Sequence, residues 1–150
     1  MSENRQQEYN QAIVDSLSNQ YDTHYWQQLE PEGDVLEGTG VLVFDHSNRV
    51  IYLNLSQRAT LSGFDIFMET FDRLQQGYRA VPFEARDRHG NRIYHTNVMV
   101  ADLDRHLVCC MDSIQSKHDR MAIEEICVDT EKELVNISFD EMENFCGNII

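Results

Sequence analysis

The sequence predicts an α/β fold built from a repeated ββαβ unit. Two observations carry this. First, apolar runs at 40–45 and 50–55, a helical pattern from about Leu61 to Gln75 and a further apolar run at 78–85 recur in the same order at about 95–101, 106–111, 116–128 and 134–138. Second, polar turn signals fall at matching places, His46-Ser47-Asn48-Arg49 within the first strand pair and Asp102-Leu103-Asp104-Arg105 within the second. With 150 residues, 41% hydrophobic and 25% charged, the chain can bury a core as one domain over 1–150.

The elements follow in order. Ile13, Val14, Leu17 and Tyr21 recur at helical spacing within a helix predicted over 3–20. Thr23-His24-Tyr25-Trp26 reads as a short strand, and LEPEGD as a turn-rich loop. In the first long helix Phe64, Phe67, Met68 and Phe71 share one face, and Gly77 is its stop. Asp87-Arg88-His89-Gly90-Asn91 is a polar turn between the units. The end of the chain reads as a helical turn, Asp140 to Asn144, followed by a strand from Gly147 to Ile150. A lone ββαβ unit cannot cover both faces of its sheet, so the units must stack. The chain reads like the middle of a longer array.

Net charge is −14, with two lysines, Lys117 and Lys132, and ten dispersed arginines. That excludes a nucleic-acid surface, which needs clustered Lys and Arg against phosphate. No apolar run approaches the length of a membrane span, and the polar start MSENRQQEYNQ has no signal-peptide core. The spacings of Cys109, Cys110, Cys127 and Cys146 fit no zinc site. They read as reduced, mostly buried thiols of a cytoplasmic protein, with Cys109 and Cys110 on opposite faces of a strand.

Four places bear residues suited to chemistry. Glu37 opens LEGTG, where Gly38, Thr39 and Gly40 would let a flat ligand approach the backbone. A carboxylate there pairs with a planar cation through two parallel hydrogen bonds; the plain alternative is a solvated loop-end glutamate beside turn-forming glycines. His95, in IYHTNVMV, stands at a predicted strand edge and suits proton transfer near neutral pH. Asn97 shares its face if the segment is a strand, and a surface or core histidine is the alternative. Arg58 lies between a strand and a helix at the same rim as Glu37, either a carboxylate clamp or a surface arginine. Cys146 is either a thiol partner for His95 or a small buried residue.

LEGTG, then SQR after a strand pair, then YHTNV, then MENFCGN, in this order, resemble the guanidino-group-modifying superfamily of amidinotransferases and arginine deiminases. Within it the chain is most similar to the branch of citrulline-utilisation hydrolases and dimethylarginine dimethylaminohydrolases. The resemblance implies a five-bladed pseudo-symmetric α/β propeller, of which about two to three ββαβ blades are present here. It implies a cofactor-free attack of a cysteine thiolate on a guanidinium or ureido carbon. Glu37 and His95 would be catalytic, as cation-binding carboxylate and general acid/base. Arg58 would bind the amino-acid carboxylate, and Gly38, Thr39 and Asn97 would line the substrate; some relatives carry aspartate at the last position. The ligand would be a small guanidino or ureido amino acid. Members of the superfamily are considerably longer, with an N-terminal substrate motif and a C-terminal nucleophilic cysteine that this sequence does not contain. The expectation is a chain inactive alone that needs a complementing chain, or a non-catalytic relative that self-associates to cover open strand edges.

Overall fold

The structure is a computed structural model, and it describes residues 10–21, 34–38, 40–74 and 77–149. The strand expected at 23–26 and the start of the first helix lie outside these residues. Two three-stranded sheets follow one another along the chain. The first contains β1 (Leu42–Asp45), β2 (Val50–Asn54) and β3 (Arg79–Phe83), with α2 (Leu61–Leu74) between β2 and β3. The second contains β4 (Val100–Asp102), β5 (His106–Cys109) and β6 (Glu133–Asn136), with α3 (Lys117–Asp129) between β5 and β6. In each, the first pair is antiparallel and the second parallel, so the ββαβ repeat stands.

Burial explains the pattern of β2, whose five residues VIYLN are all buried. Successive side chains on a strand face opposite sides of the sheet. Ile51 and Leu53 pack with Phe64 of α2, flanked by Phe67, Met68 and Phe71. Val50 and Tyr52 face the other way, into a larger core shared by both units. There α3 contributes Ile123, Ile126 and Cys127, meeting Phe83 of the first sheet and Leu107 and Cys109 of the second. The helix starts are fixed by side chains that satisfy orphan amides. Thr60 Oγ1 accepts from Gly63 N at 3.1 Å before α2, and Ser116 Oγ accepts from Asp119 N at 3.2 Å before α3. Gly77, with φ +90°, lies just beyond α2 as expected.

Three expectations are corrected. The run 95–101 is not one strand: Thr96–Val98 is a 3₁₀ turn, and only Val100–Asp102 pairs with β5. The reason is a competing set of partners. Thr96 Oγ1 accepts from Asn54 N at 2.7 Å and donates to Val41 O at 2.5 Å, and Asn97 N donates to Gly40 O at 3.0 Å. The segment is tied to the first unit before it joins the second sheet, so His95 and Asn97 do not share a strand face. Next, β5 ends at Cys109, and Cys110 precedes a second 3₁₀ turn, Met111–Ser113; both thiols are buried. Finally, residues 147–149 form no strand. A Cβ on Gly147 would sit 2.7 Å from Val98 O, so this glycine allows close backbone packing instead.

Two smaller helices complete the described chain. α1 (Gln11–Ser18) is capped by Asn10, whose side chain accepts from Ala12 N and Ile13 N. Its apolar residues Ile13 and Leu17 are exposed. α4 (Phe139–Glu143) opens with a reciprocal Ser138–Glu141 capping box. Arg88 from the inter-unit turn reaches Asp140 and, at 2.7 Å, Glu143.

Candidate functional site

The rim where β2 ends holds three of the residues singled out from sequence. Leu36 bridges to Ala59, and Glu37 N donates to Arg58 O at 3.0 Å, which lays the 36–37 backbone against 58–59. The Glu37 side chain turns inward and is 2% exposed. The solvated loop-end reading of Glu37 is therefore excluded. His95 Nε2 lies 3.4 Å from Glu37 Oε2, and Arg58 Nη1 lies 3.5 Å from the same oxygen. The Arg58 guanidinium sits 5.1 Å from the Tyr94 ring centre, within cation–π range. The Tyr94 and His95 rings are 4.8 Å apart. One buried carboxylate, one imidazole, one guanidinium and one aromatic face thus converge from three loops.

The glycines divide. Gly40 has φ +81°, and a Cβ there would lie 2.6 Å from Asn97 Oδ1. The room it leaves is filled by the Asn97 amide, not open to a flat ligand. Gly38 has nothing among the described residues within 4 Å of where a Cβ would stand, and it is exposed. Thr39 lies outside the described residues. Cys146 is exposed, against the reading of a small buried residue, and no hydrogen bond joins it to His95. The other three cysteines are buried, and burial pushes their thiols up, away from the thiolate form.

Sequence reading missed the side chains that aim His95. Asn54, fully buried at the end of β2, donates to Ile93 O at 2.6 Å and accepts from Ala85 N at 2.8 Å. Ser56 Oγ donates to Tyr94 O at 2.8 Å. The carbonyls of both residues preceding His95 are therefore held by the first unit. The available signal was an asparagine closing an otherwise apolar strand, a position that demands partners for a buried amide.

A second polar cluster lies at the opposite end of β1. Lys132 Nζ sits 2.8 Å from Asp45 Oδ2 and 2.5 Å from Asp102 Oδ1, and donates to Leu103 O at 2.8 Å. Burial pushes the Asp45 carboxyl up, but hydrogen bonds from Lys132 and Asn48 outweigh it and leave it below the usual carboxylate value. Burial, with the nearby Asp45 charge, leaves Asp102 above that value despite Lys132. Among the described residues no group of His, Cys, Asp and Glu is arranged to hold a metal ion.

Fold and site together define an α/β protein of paired ββαβ units with a buried carboxylate–imidazole pair at the end of the first sheet. The family model for N,N dimethylarginine dimethylhydrolase, eukaryotic, matches residues 1–150, and the chain belongs to that family. Among the solved structures that share the fold, two are of one protein. One is ArgZ, an arginine dihydrolase from the ornithine–ammonia cycle in cyanobacteria, with TM-score 0.65 and 17% identity over 81% of this chain and 18% of that one. The other is the N-terminal domain of ArgZ, a mutant bound to substrate, with TM-score 0.63 and 18% identity over 81% of this chain and 41% of that one. The chain thus spans well under half the length of either. No curated protein matches the chain.

Proposed function

We propose that the chain forms the cation-binding wall of a hydrolase site for a small guanidino or ureido amino acid. The observation that carries this is the shared oxygen, Glu37 Oε2, met by His95 at 3.4 Å and by a guanidinium at 3.5 Å while almost wholly buried. A buried carboxylate of this kind selects a planar cation. Glu37 binds the guanidino nitrogens, and His95 moves the proton. Arg58 takes the ligand's carboxylate, and Asn97, Gly38 and Thr39 border the ligand. The substrate-bound relative, an arginine dihydrolase, supports an arginine-type ligand.

Hydrolysis in this scheme has two steps. A thiolate forms an S–C bond to the guanidino carbon, and the C–N bond breaks as His95 protonates the departing nitrogen. Water, deprotonated by His95, then attacks the same carbon and the S–C bond breaks. The three buried thiols are unsuited to the first step, and the exposed Cys146 is not hydrogen-bonded to His95, so in this reading the thiolate comes from a complementing chain or segment. The protein is a cytoplasmic one in this reading, consistent with four free cysteines. The units belong to a five-bladed propeller, which the repeated ββαβ order supports.

The buried thiols also favour a second reading, binding without turnover. Calorimetry with L-arginine and L-citrulline tests the binding that both readings share, and an ammonia-release assay tests whether the chain turns over without a complementing thiolate. Binding lost in Glu37→Gln with no ammonia released supports Glu37 as the cation-binding carboxylate in either reading. Turnover by the chain alone, lost in His95→Ala, overturns the need for a complementing thiolate and with it the binding reading. Absence of both binding and turnover overturns the assignment.

A further inference from the structure

We infer that Arg58 is a built-in competitor at the guanidinium site, and that this sets a preference for guanidino amino acids over bare guanidinium ions. The inference rests on the assignment of Glu37 above and adds a determinant of selectivity. A ligand guanidinium needs a buried carboxylate, a flat aromatic face and a nearby proton carrier. Glu37, Tyr94 and His95 supply these, and the Arg58 guanidinium stands among them.

The geometry is that of an occupant which can leave. Its contact with Glu37 is 3.5 Å, longer than the ~2.7–2.9 Å of a tight charge-assisted bond. The Arg58 side chain is 23% exposed, so it has a path to solvent that the 2% exposed Glu37 lacks. The loop is held by backbone: Glu37 N donates to Arg58 O at 3.0 Å, and Arg58 N donates to Ser56 Oγ at 3.1 Å. The side chain can therefore swing away without dismantling the wall. A bare guanidinium must displace Arg58 and leaves its charge without a partner. A guanidino amino acid displaces it and offers its own carboxylate in return.

The test is calorimetry with methylguanidinium on the wild-type chain and the Arg58→Met, Arg58→Gln and Glu37→Gln variants, each checked for fold by circular dichroism. Removing the competitor should tighten methylguanidinium binding about fivefold, the worth of one partly solvated ion pair. Unchanged or weaker binding in folded Arg58 variants overturns the inference. If Glu37→Gln binds as well as wild type, the assignment of Glu37 falls and the inference falls with it. Independently of any Arg58 variant, the Arg58 Nε–H resonance of the wild-type chain should shift as methylguanidinium saturates. A resonance that stays fixed at saturation overturns the inference.

Discussion

Lys132→Met is the substitution whose effect the structure bounds most closely. The Lys132 side chain is 3% exposed and holds two carboxylates from different strands, Asp45 ending β1 and Asp102 ending β4. Methionine fills a similar volume, so the change removes the charge and three hydrogen bonds more than it removes packing. Breaking a buried ion pair from one side costs about 3–5 kcal/mol, because the remaining charge keeps its desolvation penalty. For a chain of this size that loss lowers the melting temperature by roughly 6–20 °C.

The control is Asp102→Asn. It removes the carboxylate whose ionisation the fold disfavours through burial and the Asp45 charge, and its amide oxygen can still accept from Lys132. That variant should lose less than about 1 kcal/mol. Urea unfolding of the two variants beside wild type gives both numbers. A Lys132→Met loss below about 1 kcal/mol, the range of a solvated surface pair, would refute the reasoning. So would an Asp102→Asn loss equal to that of Lys132→Met.

The same cluster gives stability a two-part dependence on acid. Asp102 titrates above its ordinary value of 3.8 when folded, so the folded chain takes up the proton first and gains stability as pH falls through that window. Asp45 titrates below 3.8 when folded, so its contribution is present above 3.8 and lost as pH falls through its folded value. Urea midpoints against pH should rise slightly and then drop, and Asp102→Asn should remove the rise alone. Tyr52 is fully buried, and among the described residues its hydroxyl has no hydrogen-bond partner. Since an unsatisfied buried hydroxyl costs about 1–3 kcal/mol, Tyr52→Phe should leave stability unchanged or raise it, and a clear loss in urea midpoint contradicts that. Cys146 is the single exposed thiol of four, so a chromogenic disulfide reagent should label one equivalent quickly and Cys146→Ser should abolish that phase.

The repeat was legible because its signals are local. Apolar alternation, the aromatic face of α2 and the turns at 46–49 and 102–105 each depend on neighbours in sequence. Glu37, Arg58 and His95 were legible as residue types beside turns, and the structure brings all three together. What could not be read was the path of 95–99. YHTNVMV alternates well enough for a strand, but Thr96 finds partners 42 and 55 positions away, in Asn54 and Val41. Gly40 was misread for the same reason. Its missing side chain looked like room for a ligand, and only the fold shows Asn97 in that room.

The two polar clusters sit at opposite ends of β1, and this arrangement has a physical sense. The shared core between the units is apolar, and apolar contact is non-directional, so it leaves sliding between packed elements weakly specified. At one end Asn54, Ser56 and Thr96 tie 93–96 to the first unit; at the other, Lys132 ties the end of β4 to the end of β1. Hydrogen bonds with fixed directions at both ends define the register that hydrophobic packing does not. The ends differ in what they position. Loss of Lys132 weakens the joint far from Glu37 and should leave the His95 environment unchanged in the folded fraction. Loss of Asn54 releases Ile93 O and Ala85 N beside the site, and should move the His95 ring resonances even where the chain stays folded.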